Sequence, residues 1–565
     1  MLLPRSSAST ESFARATAFA LLTLGMLLAI SRMLPPFAVW ITDNGNKYIV
    51  MRNYAETGEA AIRHPAPEFF PTGGFHFVRH KSGYRSFYSE YYPRIAAWWW
   101  KLCGERGPGW LSMLGTALTA GMLALLWRKN PVLLLLIVVA TPMLFFSFLL
   151  WEMTWSVCAA LAAWMLLERR HSAAAGIVLG ASLLLREEAY CFALAVLAAL
   201  AWRRDLRAAG GFLVGFALAV IPLWVWQYGE FGHILGLHGG NYYANNRAAA
   251  EFSLSNELVG ALWNYYHHLL RFDAFRGRFG WLNQVCVIPA AAAVAAGGFT
   301  ARRYDRLKLA VGMAAVIGWL VLAWGFLTRD TGNEAFSAAF VTGAVGSNPL
   351  FLPFYLNWRR AWLSRSRFIR DAAVTACVYL LIVPPLLTRS DIGLIYGARH
   401  FLCIMPLMLI LSAHFLRKKF FPAGSRFLPL TAAVAAVMLQ CGSLSALANV
   451  SRESAELERA INALPEKAVV TDIFFLPEQT PHLFFTKTML RLDDGNAAAL
   501  AKYLKKQSPG GFLLVLSADP RFRRISNARL AELLGTATPA EAPLRFLLRP
   551  GSGFMDLLIV RCRLK

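Results

Sequence analysis

Apolar residues form long blocks along most of the chain, and short polar segments separate them. A block of about 20 apolar residues can cross a hydrocarbon core of ~30 Å as an α-helix. The pattern therefore predicts an α-helical polytopic membrane protein with about thirteen spans. The expected spans are 15–34, 108–127, 131–150, 152–167, 172–186, 188–202, 208–227, 283–300, 308–327, 340–357, 372–388, 400–416 and 428–447.

The last part of the chain has a different pattern, in which helix-like and strand-like stretches alternate. Helices are expected at Glu453–Leu464, Asn496–Gln507 and Asn527–Leu534, and strands at Ala468–Phe475, Gly511–Leu516, Leu544–Leu548 and Leu557–Val560. We therefore predict two domains. Residues 1–450 form the transmembrane domain, including a long loop at 35–107, and residues 451–565 form a small α/β domain.

The charges then orient the chain. The net charge is +24, yet only 16% of the residues are charged and 57% are hydrophobic. Basic clusters such as Arg128-Lys129, Arg203-Arg204 and Arg417-Lys418-Lys419 fall at alternate ends of the apolar blocks, which is the positive-inside pattern and not a nucleic-acid surface. The N-terminus is therefore expected in the cytoplasm, and the loops 35–107 and 228–282 and the C-terminal domain on the extracytoplasmic side.

Metal and disulfide chemistry find little support in the sequence. The eight cysteines show no CxxC spacing, and loop histidines such as His76, His267 and His268 form no HExxH or similar motif. No glycine-rich phosphate loop stands in the short cytoplasmic segments, which disfavours a nucleotide-sugar donor. We identify no metal site and assign no cofactor, with the lipid-linked sugar donor expected as a substrate.

The loop after the first span carries the most distinctive residues. Asp43 follows the first helix closely, and Tyr88-Ser-Glu-Tyr-Tyr-Pro93 leads into Trp98-Trp99-Trp100. This constellation resembles the first extracytoplasmic loop of GT-C membrane glycosyltransferases of the protein-mannosyltransferase and aminoarabinose-transferase type. The resemblance implies a bacterial inner-membrane enzyme with Asp43 as its catalytic carboxylate and Tyr92 in support. The alternative is that Asp43 caps the helix that follows.

A lipid-linked donor needs cations, because its leaving group is an anionic polyprenyl phosphate. Two further motifs resemble the same family. The turn Tyr396-Gly-Ala-Arg-His400 resembles a segment whose arginine faces the donor phosphate, and Leu183–Tyr190 resembles a Leu-Arg-x-Glu segment. Arg399 is the first candidate for phosphate binding, followed by Lys47, Arg52 and Arg94, with Arg329 also on the expected side. Arg186, Glu187, Glu188 and His400 are candidate supporting residues.

Each of these motifs has a plain alternative. Arg399 could reach towards lipid headgroups, and Arg186-Glu187-Glu188 could be a simple hairpin turn. The sequence also departs from the family, since Asn44 and Gly45 follow Asp43 in place of a second carboxylate, and the Lys-Pro-Pro-Leu segment is absent.

The predicted function is transfer of a sugar from a polyprenyl-phosphate donor to an extracytoplasmic acceptor, with membrane lipid as surroundings. The alternatives are a non-catalytic membrane scaffold and a polytopic lipid or sugar transporter. A transporter would be expected to show repeated halves, and the sequence shows none.

Overall fold

The computed structural model describes most of the chain. It covers residues 10–564 apart from 72–75, 127–135, 137, 238–253, 272–273, 276, 329–340, 342, 387–396, 418–426, 509, 519–524, 536, 540–541 and 549–554.

Helices account for most of the described residues. The α-helices are α1 (Thr10–Ser31), α2 (Thr42–Thr57), α3 (Tyr91–Cys103), α4 (Gly107–Leu126), α5 (Met143–Phe146), α6 (Met153–Glu168), α7 (Ser172–Ala181), α8 (Glu188–Trp202), α9 (Leu206–Phe231), α10 (Leu254–Tyr265), α11 (Leu282–Ala296), α12 (Asp305–Thr328), α13 (Leu352–Tyr355), α14 (Trp358–Trp362), α15 (Arg367–Leu386), α16 (Met405–Arg417), α17 (Phe427–Asn462), α18 (Leu476–Gln479), α19 (Leu483–Thr486), α20 (Ala497–Gln507) and α21 (Asn527–Gly535). The strands are β1 (Phe77–His80), β2 (Gly83–Ser86), β3 (Ala468–Thr471), β4 (Thr488–Arg491), β5 (Phe512–Ser517), β6 (Ala537–Pro539), β7 (Leu544–Leu548) and β8 (Met555–Leu564).

Contacts divide the chain into two compact units. The first comprises Met1–Arg32 and Gly109–Ala446, and the second comprises Met33–Pro108 and Leu447–Lys565. The segment 35–107, which the sequence predicts to be an extracytoplasmic loop, thus belongs to the same compact unit as the C-terminal residues.

The first unit is a helical membrane domain. Among the described residues of the whole chain, eight helical segments are long and apolar enough to cross a membrane, and three shorter apolar helices accompany them. The short ones are α6, α7 with its 3₁₀ extension to Leu184, and α8, all at positions where spans were predicted. The polytopic helical class is confirmed, and the count of about thirteen stays a prediction.

Two predicted spans differ from the structure. In the described part of 131–150, Leu136, Val138 and Val139 are helical, and the chain then turns at Thr141-Pro142 before the single turn α5. In the described part of 340–357 the chain is irregular before a 3₁₀ turn at Pro349–Phe351 and the single turn α13. Proline removes a backbone donor and breaks a helix, so apolar composition alone overstated the helix here.

Glycines allow close helix packing in the first unit. A Cβ at Gly215 on α9 would lie 1.9 Å from the carbonyl oxygen of Ala173, and one at Gly176 on α7 would lie 2.1 Å from that of Phe212. Small residues at such crossings let backbones touch, which is the usual way helices associate in lipid.

The second unit is built on a mixed sheet in the order β4-β3-β5-β8-β6, with β7 also paired to β8. β3 is parallel to both β4 and β5, and β8 is antiparallel to β5. β3 and β5 are buried on both faces, which explains their unbroken apolar sequences. Phe69 from the first loop packs into the core on one face, beside Leu514 and Leu500. The predicted C-terminal α/β region is confirmed, with β4 and β6 as strands that the sequence analysis missed.

Candidate functional site

Asp43 lies in the first turn of α2, where a helix N-terminus favours negative charge. Its side chain is nearly buried, with 7% exposure. The hydroxyl of Tyr88 donates a hydrogen bond to Oδ1 of Asp43 at 2.5 Å. Tyr88 follows β2, so a short stretch of the same loop delivers both groups.

The capping role at α2 belongs to Asn44. Its Oδ1 accepts hydrogen bonds from the backbone amides of Trp40 at 3.2 Å and Ile41 at 3.1 Å, and its Nδ2 donates to the carbonyl of Ala38 at 2.9 Å. These bonds hold the entry to the helix. The departure from a second carboxylate at position 44 therefore has a structural explanation.

Gly45 brings α2 against the C-terminal part of the chain. A Cβ at this position would lie 1.6 Å from the carbonyl oxygen of Glu478 in α18. Only glycine permits this approach. Gly45 is two positions after Asp43 in α2, so the backbone of Glu478 lies next to the helix turn that carries Asp43.

Glu478 is fully buried and paired with a histidine. Its Oε1 lies 3.0 Å from Nδ1 of His76. Burial lowers the pKa of His76, but the hydrogen bond and charge of Glu478 and the charge of Asp43 outweigh it, so the pKa is raised. Burial also raises the pKa of Glu478, against the opposing effect of His76. The pair therefore retains a proton more strongly than free side chains would.

Other polar side chains complete this cluster. Ser86 donates to Oδ1 of Asn46 at 2.7 Å, and the ammonium of Lys47 lies 5.1 Å from the centre of the Tyr88 ring. Lys47 has only 2% exposure. We call Asp43, Asn46, Lys47, His76, Ser86, Tyr88 and Glu478 together the Asp43 site.

A second polar contact in this unit centres on Tyr48. Its hydroxyl donates to Oε2 of Glu105 at 2.9 Å and lies 2.9 Å from Nδ1 of His482. Burial and the charge of Glu105 raise the pKa of Tyr48, so the phenol stays neutral. Burial lowers the pKa of His482.

Three other predicted residues of this unit are engaged locally. Arg52 pairs with Glu56 at 2.7 Å, and Arg94 pairs with Glu90 at 3.0 Å. Tyr92 is buried in the first turn of α3. Their predicted roles stay predictions, and Arg329 lies outside the described residues.

The first unit holds the remaining predicted residues in one ion-paired cluster. Arg186 donates through Nε to Glu188 at 2.8 Å and through a terminal nitrogen to Glu152 at 3.2 Å. Glu188 lies 2.6 Å from Nδ1 of His400, whose Nε2 accepts from Arg399 at 3.0 Å. We call Glu152, Arg186, Glu188, Arg399 and His400 the Arg186 network. Glu187 is exposed.

An unusual backbone places Arg399 and His400. Gly397 and Ala398 have φ angles of +82° and +47°, just before the 3₁₀ helix Arg399–Ile404. A Cβ at Gly397 would lie 2.6 Å from the ring of Pro142. Both this close approach and the positive φ angle require glycine at this position. Arg399 also lies over the ring of Trp151 at 5.8 Å.

A histidine pair and Arg271 lie beside the network. The ring of His268 lies 6.0 Å from that of His400, and Arg271 contacts Nδ1 of His267 at 2.6 Å. Burial, together with the charges of His400, His267, Arg399 and Arg271, lowers the pKa of His268 to about 2. Its imidazole is therefore neutral at physiological pH.

Sequence reasoning found part of each cluster. It identified Asp43 and Lys47 in one, and Arg186, Glu188, Arg399 and His400 in the other. It missed Glu478, Glu152 and the burial of His76 and His268. Within the described residues, no group of three or more His, Cys, Asp or Glu side chains has the geometry of a metal site.

The fold and these two clusters define a polytopic α-helical membrane protein with buried carboxylates and clustered cations. No protein-family model and no curated protein matches the chain. Two solved structures are similar to it over nearly its whole length. ArnT from Cupriavidus metallidurans bound to undecaprenyl phosphate has 12% identity and a TM-score of 0.48, covering 96% of this chain and 98% of that one. The same protein in the apo state has 13% identity and a TM-score of 0.47, covering 97% and 98%. At this distance no residue role is transferred.

Proposed function

We propose that this protein transfers a sugar from a polyprenyl-phosphate-linked donor to an acceptor hydroxyl on the extracytoplasmic side of the bacterial inner membrane. The observation that carries the proposal is Asp43, a nearly buried carboxylate at a helix N-terminus that accepts a hydrogen bond from Tyr88. The sequence around both residues resembles the catalytic loop of GT-C glycosyltransferases.

Asp43 supplies the base that this reaction needs. The acceptor oxygen attacks the anomeric carbon, its proton passes to the carboxylate, and the bond from that carbon to the donor phosphate breaks. The bond from Tyr88 and the helix N-terminus fix the orientation of the carboxylate. Carboxylates are costly to bury near lipid, which favours a functional reason for this one.

The cations of the first unit suit the leaving group. Arg399, Arg271 and Arg186 place guanidinium groups in one cluster with two carboxylates, Glu152 and Glu188. Arginine suits phosphate because its planar group offers paired donors. We assign the donor phosphate to Arg399 first, with neutral His268 as a hydrogen-bonding neighbour.

The test is sugar transfer in lipid nanodiscs with polyprenyl-phosphate donors. Asp43→Asn keeps size and removes the charge, so we expect transfer to fall by about 10²–10⁴-fold, the usual contribution of a general base. Asp494→Asn is the matched control, because Asp494 is exposed in the same unit and its Oδ1 accepts a hydrogen bond from the backbone amide of Ser526.

Thermal stability measured in parallel separates loss of chemistry from loss of folding. A stable, inactive Asp43→Asn protein beside an active Asp494→Asn protein supports the proposal. Equal transfer by both variants would remove Asp43 from the mechanism. A wild-type protein that transfers no sugar would favour the scaffold reading.

A further inference from the structure

We propose that Glu478, from the C-terminal part of the chain, is a positioning residue for Asp43 and acts on it through His76 and Tyr88. The inference rests on the proposed function for its activity readout. It makes the C-terminal segment a working part of the Asp43 site.

The chain of contacts starts at α18. Glu478 has 0% exposure and bonds through Oε1 to Nδ1 of His76 at 3.0 Å. Its backbone carbonyl occupies the space that a Cβ at Gly45 would fill. The side chain of Glu478 thus holds His76, and its main chain packs against the start of α2.

The second contact runs from His76 to Tyr88. Their rings are stacked with centroids 6.0 Å apart and planes at 26°. Phe87 stacks on the same histidine at 6.0 Å and 7°. The ring of Tyr88 is thereby held in the orientation from which its hydroxyl reaches Oδ1 of Asp43 at 2.5 Å.

Charge links the two ends as well. The charge of Asp43 raises the pKa of both His76 and Glu478. Lys47 and Tyr88 are further ionisable groups of this cluster. In a dry cluster such interactions are strong, so the proton held by the His76–Glu478 pair and the charge of Asp43 depend on each other.

A purely structural role explains Glu478 poorly. Its Oε2 is buried and has no hydrogen-bond partner within the described part of the chain. An apolar residue of similar size would avoid the cost of burying that oxygen. Retention of the carboxylate is better explained by its effect on His76.

The first measurement compares transfer by Glu478→Gln with that by Glu466→Gln. Glu466 is a matched control, because its side chain, in the same unit, is only 8% exposed, pairs with Arg561 at 2.8 Å and also has one buried oxygen without a partner in the described residues. We expect Glu478→Gln to lower kcat by about tenfold, leave the donor KM unchanged and displace the pH profile. Glu466→Gln should match the wild type in all three.

The second measurement does not need transfer activity. Histidines labelled at Cε1 are titrated by NMR, and His76 is assigned from the signal missing in His76→Gln. We expect Glu478→Gln and Asp43→Asn each to lower the midpoint of His76 by about one unit, and Glu466→Gln to leave it in place.

The two readouts separate the outcomes. If the wild type transfers no sugar but Asp43→Asn lowers the His76 midpoint, the proposed function fails and the coupling within the site stands. If the His76 midpoint is the same in wild type and Asp43→Asn, the positioning role is overturned whatever the activity. A Glu478→Gln protein with wild-type kcat and pH profile overturns it as well.

Discussion

The Asp43 site and the Arg186 network are both clusters of buried charge, but they are built differently. In the Arg186 network, Arg186 is bonded to two carboxylates, and Glu188 is bonded to both Arg186 and His400. In the Asp43 site, the carboxylate of Asp43 accepts a hydrogen bond from the hydroxyl of Tyr88, and His76 and Glu478 form a separate pair.

The difference separates two uses of buried charge. Paired ions in an apolar surrounding satisfy one another, so removing one partner leaves the other uncompensated and costs stability. Asp43 is proposed to accept a proton, so removing its charge is expected to cost transfer more than folding. Loss of one partner should therefore affect stability in the Arg186 network, and loss of charge should affect proton binding in the Asp43 site.

The largest stability effect is expected for Arg186→Met. This change leaves the buried carboxylates of Glu152 and Glu188 without their shared cation, so the free energy of unfolding should fall by about 3–5 kcal/mol. Unfolding in mixed micelles by added denaturing detergent measures it. Arg63→Met is the control, because the Arg63–Glu59 pair is largely exposed and should contribute under about 0.5 kcal/mol. Similar small losses in both variants would show that the network does not hold the helices together.

Gly45→Ala should have the next largest effect. The added methyl group would overlap the carbonyl of Glu478, so α2 and α18 must separate, at a cost of about 1–3 kcal/mol for overpacking. The Asp43 site should lose the His76–Glu478 contact together with stability. Gly210→Ala in α9 is the control, since nothing lies within 4 Å of its added Cβ and alanine favours helix by about 0.5–1 kcal/mol. If Gly45→Ala were as stable as Gly210→Ala, the close approach of the two segments would be refuted.

The sequence predicted the parts of the molecule that depend on local pattern. Apolar length identified α1, α9, α12 and α15 as spans, and an acidic residue after the first span marked Asp43. Pattern failed at 340–357, where Pro349 and Pro353 interrupt an apolar stretch. Apolar length alone could not show this, because apolar residues also pack in irregular segments buried by protein.

Partners that come from distant parts of the chain could not be predicted. Glu478 lies 402 positions from His76, and His400 lies 212 positions from Glu188. No spacing rule joins residues so far apart. One local signal was available for the first pair, since Asn44-Gly45 after Asp43 indicates a helix whose second turn must approach another backbone.

The smallest effect is a pH dependence with opposite signs at two histidines of the second unit. The pKa of His76 is raised, mainly by Glu478 and Asp43 against burial, so its native state binds a proton more tightly than the unfolded chain does. The stability that His76 provides over His76→Gln should be present below about pH 6.5 and decline as the pH rises through the native pKa. The raised pKa of Glu478 acts in the same direction.

Burial lowers the pKa of His64, so His64→Gln should gain most over wild type in acid and lose that gain above about pH 6.5. Tm measured between pH 5 and 8 should show differences of a few degrees at most, since 1 kcal/mol moves the Tm of a unit this size by about 2–4 °C. Parallel curves for wild type and His76→Gln would mean that the His76–Glu478 pair holds no extra proton, and the electrostatic link to Asp43 would then be lost.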